Sequence, residues 1–124
     1  MKPVRTRENG NKPERQTKIM RARGTTIFNG KRYLTRGVNE EIPLEIQMLM
    51  WALIDNRKAA KANLDYLQIF KLTPNGTAQK IIHSQEQPEY NNEITVSLIC
   101  SPMKIRVWII DSGEHCTMLL PSEY

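Results

Sequence analysis

Cysteine is scarce in this 124-residue chain, and the scarcity excludes several things. Two residues, Cys100 and Cys116, are too few for a disulfide scaffold. There is no Cys-x-x-Cys pair and no His pair at helical spacing, so the spacing of a structural zinc site is missing. His115 and Cys116 are neighbours on a predicted strand and would face opposite ways. Both cysteines therefore read as small buried apolar residues, and no metal or other cofactor is expected. Long apolar runs are also absent. The longest, Met48 to Ile54, falls far short of the ~20 residues that cross a bilayer. The charged N-terminus has no apolar stretch behind it, as a secretory signal would. A cytoplasmic location is the expectation. The six glycines are scattered, so no phosphate-cradling loop is present. Asp111, Ser112 and His115 share the composition of a catalytic triad, but they crowd into one turn, where such residues serve turn geometry. Glu86, Glu89 and Tyr90 read as a polar surface loop. Nothing in the pattern calls for an enzyme.

What the chain does have is a skewed charge. Residues 1–28 carry Lys2, Arg5, Arg7, Lys12, Arg15, Lys18, Arg21 and Arg23 against Glu8 and Glu14, a surplus of six positive charges. The whole chain is at +5, so the remainder is at −1. A basic arm on a nearly neutral body points to a polyanionic partner, a nucleic acid or an acidic protein surface. Residues 1–26 also hold Pro3, Pro13, Gly10 and Gly24 and few large apolar side chains, so alone the arm should not fold. Lys18 to Arg21 could form one helical turn on a partner. Two regions follow: a basic, flexible arm over 1–26 and a folded domain over 27–124.

In the domain, Lys31 to Arg36 reads as a short strand ended by Gly37. Glu40 and Glu41 lead into Pro43, which suits a first helical turn, and the acidic pair suits the positive end of the helix dipole. From Pro43 to about Ala60, Ile42, Ile46, Leu49, Met50, Leu53 and Ile54 recur at helical spacing, widened by Leu44, Met48 and Trp51. Leu49 and Leu53 are the expected centre of the core. The period then changes to two. Strands are expected over Tyr66–Leu72, Ala78–Ser84, Glu93–Ile99, Lys104–Ile110 and Cys116–Leu120. Turns fall at Thr73-Pro74-Asn75-Gly76 and Asp111 to Glu114, with a loop over Gln85–Asn92. The expected fold is α+β: one amphipathic helix on a mostly antiparallel five- to six-stranded sheet, in the order β-α-β-β-β-β-β, with the N-terminal extension outside it. One helix cannot cover both faces of such a sheet. Ile81, Ile94, Val96, Val107, Trp108, Ile109 and Ile110 then offer apolar area to a protein partner or a homodimer.

Several segments resemble the domain of unknown function 960 family. They are Lys31 to Gly37 with Ile42-Pro43-Leu44-Glu45-Ile46-Gln47, Leu64 to Phe70, His83 to Tyr90, Asp111 and Gly113, and Thr117 to Leu120 with Glu123-Tyr124. The resemblance runs over about residues 27–124 and implies a small intracellular protein of low-GC Gram-positive bacteria, their phages and mobile elements. It implies no chemistry, and the arm departs from it. This setting, joined to the arm, leads to the expectation of a non-catalytic binding protein that engages a nucleic-acid machine. Its specific form is an anti-CRISPR inhibitor of a Cas9-type RNA-guided nuclease, a ribonucleoprotein with exposed nucleic acid. The alternative is a general nucleic-acid-binding accessory protein of mobile-element replication. In either case the expected contacts are Arg5, Arg7, Lys12, Arg15, Lys18, Arg21 and Arg23, extended by Lys31, Arg32 and Arg36.

Overall fold

A proline sets the first landmark of the domain. In the computed structural model, which describes residues 27–124, Ile42 stands before Pro43 and is extended (φ −110°, ψ 119°), the backbone that a following proline imposes. Two helices abut there. The first, α1 (Arg36–Glu41), is short and was not expected; its N-cap is Thr35, whose Oγ1 accepts from Val38 N at 3.3 Å. The second, α2 (Leu44–Ala59), is the long amphipathic helix. Pro43 is its N-cap residue and not part of its first turn, and the Pro43 carbonyl accepts from Ile46 N and Gln47 N. Buried Gln47 donates from Nε2 to the Ile42 carbonyl at 2.8 Å, which satisfies a group stranded between the helices.

The strands are β1 (Lys31–Leu34), β2 (Leu67–Asn75), β3 (Ala78–Gln85), β4 (Tyr90–Val96), β5 (Ile105–Asp111) and β6 (His115–Leu119), with a closing 3₁₀ turn over Pro121–Glu123. They form one six-stranded sheet in the order β1-β6-β5-β2-β3-β4. The α+β class stands, with two helices in place of one. The sheet is mixed: β1 pairs parallel to β6, and every other pairing is antiparallel.

The core lies between α2 and one face of the sheet. Ile42, Ile46, Met50 and Ile54 descend from the helix side onto Phe70, Leu72, Ile81, Val107, Ile109 and Met118. This corrects the expected core centre. Leu49 and Leu53 are half-buried at the flank, because the row spaced by four residues through 46, 50 and 54 is the one aimed at the sheet. Leu44 and Met48, expected to widen the apolar face, are 67% and 62% exposed. Trp51 is half-buried beside the core.

Two strands run longer than expected. β2 continues through Pro74 to Asn75, and the β2–β3 turn is the tighter Gly76-Thr77, with Gly76 at φ +64°. Pro74 is tolerated because the pairing with β5 ends at Leu72; beyond it β2 has a neighbour on one side only. β3 likewise runs into the expected loop, to Gln85, while β4 is displaced towards the N-terminus, over Tyr90–Val96 in place of Glu93–Ile99, which leaves residues 86–89 as the turn.

Gly30 is where the chain entering β1 meets the β5–β6 turn. A Cβ there would stand 2.2 Å from the Glu114 carbonyl oxygen, a backbone atom that cannot swing aside. Gly30→Ala is expected to cost about 1–3 kcal/mol through overpacking, measured by urea denaturation. A variant as stable as the wild type would mean that this approach is looser than described.

Candidate nucleic-acid interface

The structure divides the expected basic contacts. Arg5, Arg7, Lys12, Arg15, Lys18, Arg21 and Arg23 lie outside the described residues, as do the whole 1–26 arm and the turn at Lys18–Arg21. Lys31, Arg32 and Arg36 are described, and they do not form one patch. Lys31 and Arg32 alternate on β1 and so face opposite sides of the sheet. Arg32 turns towards α2. Its guanidinium lies 4.6 Å from the Trp51 ring centroid and donates from both Nη atoms to the Asp55 carboxylate, Nη1 at 3.1 Å. That fork-to-fork pairing commits its charge. Arg36 opens α1 and donates from Nε to Glu40 at 2.9 Å, an exposed pair that salt readily screens. Lys31 forms no ion pair among the described residues.

Two basic residues not singled out from sequence sit on the sheet face away from α2. Lys71 on β2 and Arg106 on β5 are directly opposed in register, and neither has an ion-pair partner among the described residues. Next to them, on the same face, Ile69 is paired with Trp108. The signal was present in the alternation of Gln68-Ile69-Phe70-Lys71 and Arg106-Val107-Trp108, but the pairing of the two strands was needed to bring the charges together.

The other face holds a buried polar cluster. Gln68, Gln79, His83 and Gln85 point inwards with the core. Gln68 Nε2 donates to the Asp65 carbonyl (2.8 Å) and to Gln85 Oε1 (2.9 Å), and Gln85 Nε2 donates to the Asn63 and Pro88 carbonyls (2.9 and 2.7 Å). With Gln68 Nε2 so used, its Oε1 accepts from His83 Nε2 at 2.6 Å. The His83 ring stacks on Phe70 at 4.4 Å and meets Tyr90 edge-on at 5.5 Å, while the Arg57 guanidinium lies 3.4 Å from the Tyr90 ring centroid. Burial first, and then the Arg57 charge, lower the His83 pKa to about 4, so the ring is neutral near pH 7. Burial also raises the Asp65 carboxyl, although Gln87 N donates to it at 3.0 Å. These groups tie the 60–65 loop and the β3–β4 turn to the sheet, and the inward polar positions explain why the expected loop over Gln85–Asn92 is shorter.

The compositional triad does not assemble. Asp111 shares a sheet face with Cys116, its register partner, while His115 points to the other face and meets Tyr33 edge-on at 5.5 Å. Asp111 Oδ1 accepts from Gly113 N at 3.3 Å, a turn contact. Burial and Asp111 raise the Cys116 thiol to about 11, which leaves it protonated. Cys100 is half-buried. Among the described residues no three His, Cys, Asp or Glu side chains converge on a point that could hold a metal. No helix among them is long and apolar enough to cross a membrane.

Residues 31–123, from the first residue of β1 into the closing 3₁₀ turn, match the family described as "Staphylococcal protein of unknown function (DUF960)". The chain belongs to the DUF960 family. The match begins after the arm, so the DUF960 region is the folded body alone. No curated protein matches the chain. Among solved structures, a crystal structure of a protein of unknown function from Enterococcus faecalis is similar, at 27% identity and a TM-score of 0.65, covering 77% of this chain and 92% of that one.

Proposed function

We propose that this DUF960 protein is a non-catalytic nucleic-acid-binding protein whose basic arm supplies most of the phosphate contact. The observation that carries the reading is the charge division: a surplus of six positive charges in residues 1–28 on a body at −1. Arginine and lysine on a polyanion displace condensed counterions, which gives affinity without sequence preference. Within the body, Arg32 is held by Asp55 and Trp51, so it adds little to the arm.

Replacing Arg15, Lys18, Arg21 and Arg23 together with Ala is expected to weaken binding to all nucleic-acid sequences alike. Fluorescence anisotropy with labelled RNA and DNA of several sequences checks this. Unchanged affinity would leave the arm as a solvated tail; a loss confined to one sequence would point to base readout and away from phosphate contact. A Cas9-type ribonucleoprotein belongs in the same series. Tight binding to it, with inhibition of cleavage and little affinity for free nucleic acid, would replace the accessory-protein reading with that of an anti-CRISPR inhibitor.

A further inference from the structure

The sheet has one face under α2 and one that is open around Lys71 and Arg106 but carries the exposed Tyr124 against Trp108, the two rings meeting edge-on at 5.6 Å. On the open face, β2 and β5 lie side by side at the centre of the strand order and place their outward residues in matched rows. Leu67 is opposite Ile110, Ile69 opposite Trp108, and Lys71 opposite Arg106. Leu67, Ile69, Trp108 and Ile110 are half-buried, whereas Lys71 and Arg106 are exposed. The surface is therefore an apolar, partly aromatic centre with a pair of cations at one end.

The charges decide what can cover it. Like charges directly opposite one another across two strands are unfavourable, and neither Lys71 nor Arg106 has a carboxylate among the described residues to offset this. On neighbouring β3, Lys80 is paired with Glu93 of β4 at 3.6 Å, so that carboxylate is already engaged. A second copy laid on this face would bring a second cation pair to the same apolar patch. The chain's own arm carries six surplus positive charges and would be repelled. A polyanion with flat apolar groups fits both features: phosphates meet Lys71 and Arg106, and an unpaired base meets the Trp108 ring two residues along the same strand. Duplex nucleic acid has its bases stacked internally and could use only the cations; a single strand can use both.

We infer that the open sheet face, through Lys71, Arg106 and Trp108, is a binding surface for single-stranded nucleic acid. This inference rests on the nucleic-acid reading above and assigns it a second contact surface, distinct from the arm.

The test uses the full-length protein carrying Trp51→Phe, so that Trp108 is the one remaining tryptophan. A 12-nucleotide oligouridine and an RNA duplex of equal length are titrated against it. The expected result is quenching of Trp108 fluorescence by the single strand and not by the duplex. Lys71→Ala with Arg106→Ala is expected to weaken single-strand binding by about tenfold or more and to lower its salt slope by about 0.7 for each phosphate no longer neutralised. Duplex binding through the arm should change little. The variant carrying Ala at Arg15, Lys18, Arg21 and Arg23 separates the two readings: it should keep the Trp108 quenching at reduced affinity. Unaltered single-strand affinity in the Lys71/Arg106 variant, or an unquenched Trp108 while the arm still binds, would overturn the face and leave the arm reading standing. No binding by any form would remove both. Sedimentation showing a dimer with Trp108 shielded from acrylamide would also overturn the inference, in favour of a second copy on this face.

Discussion

Phe70→Ala is expected to cost about 3–5 kcal/mol of folding stability, the largest effect expected of a single truncation in this core. Phe70 is fully buried on β2, a central strand flanked by β5 and β3. It belongs to the same apolar cluster as Ile46, Met50 and Ile54 of α2, and its other side stacks on His83 at 4.4 Å with the rings 12° apart. Truncation leaves a cavity with polar groups on one wall, which neither collapses easily nor fills with an apolar neighbour. Leu53→Ala serves as the comparison. Leu53 is half-buried at the flank of α2, so its loss should be clearly smaller. Urea denaturation of both variants provides the check. Equal costs, or a larger cost at Leu53, would mean that the centre of the core is not the row through Ile46, Met50 and Ile54.

Mild acid should destabilise the fold through His83. Its pKa in the folded chain is about 4, below the ordinary value of 6.5. As pH falls between those values the unfolded chain takes up a proton that the folded chain refuses. The contribution of neutral His83 is therefore full above about pH 6.5, shrinks through the window down to about pH 4, and is gone below it. Its size at neutral pH is on the order of 3 kcal/mol. Asp65 works in the opposite direction, since its carboxyl is raised by burial and is protonated more readily in the folded state. The His83 effect is best isolated by difference. His83→Gln keeps a donor for Gln68 Oε1 but does not titrate. Unfolding free energies of wild type and His83→Gln at pH 7 and pH 4.5 should converge on acidification. Parallel pH profiles would show that His83 titrates normally.

Much of this fold was legible because it follows simple periods. The repeat of Ile42, Ile46, Met50 and Ile54 marks α2, and Asp111 to Glu114 marks the β5–β6 hairpin. Helix α1 was not legible. Its six residues are too few for a periodic pattern, and Gly37 argued against a helix. The stabilising groups come from far along the chain: the Glu123 carboxylate accepts from Gly37 N at 3.0 Å and from Thr35 Oγ1 at 2.5 Å. The ends of β3 and β4 were hidden for another reason. Gln79, His83 and Gln85 point inwards, so the alternation that marks a strand elsewhere is polar on the buried side. Gln79 bonds to the backbone of Thr73 on β2 and of Met103 in the β4–β5 connection, and Gln85 to the backbone of the 60–65 loop and the β3–β4 turn, which a local pattern cannot reveal. The candidate interface was half legible. The surplus charge of the arm is a matter of counting, whereas the juxtaposition of Lys71 and Arg106 depends on the register between β2 and β5, which are far apart in sequence. Arg32 shows the converse: its charge was plain in the sequence, and its engagement with Asp55 and Trp51 on α2 was not.

The arm is the central claim, and its most direct test compares the full chain with residues 27–124. The buried cluster runs from Phe28 to Met118, so the shorter chain retains the whole described core. Both proteins are titrated with labelled single-stranded RNA and duplex DNA across a salt series. For the full chain, log affinity should fall linearly with log salt, by about 0.9 for each duplex phosphate neutralised and about 0.7 for each single-strand phosphate. The shorter chain should bind duplex weakly or not at all, and single strands with a much flatter slope. Identical affinities and slopes for the two proteins on every target would contradict the account.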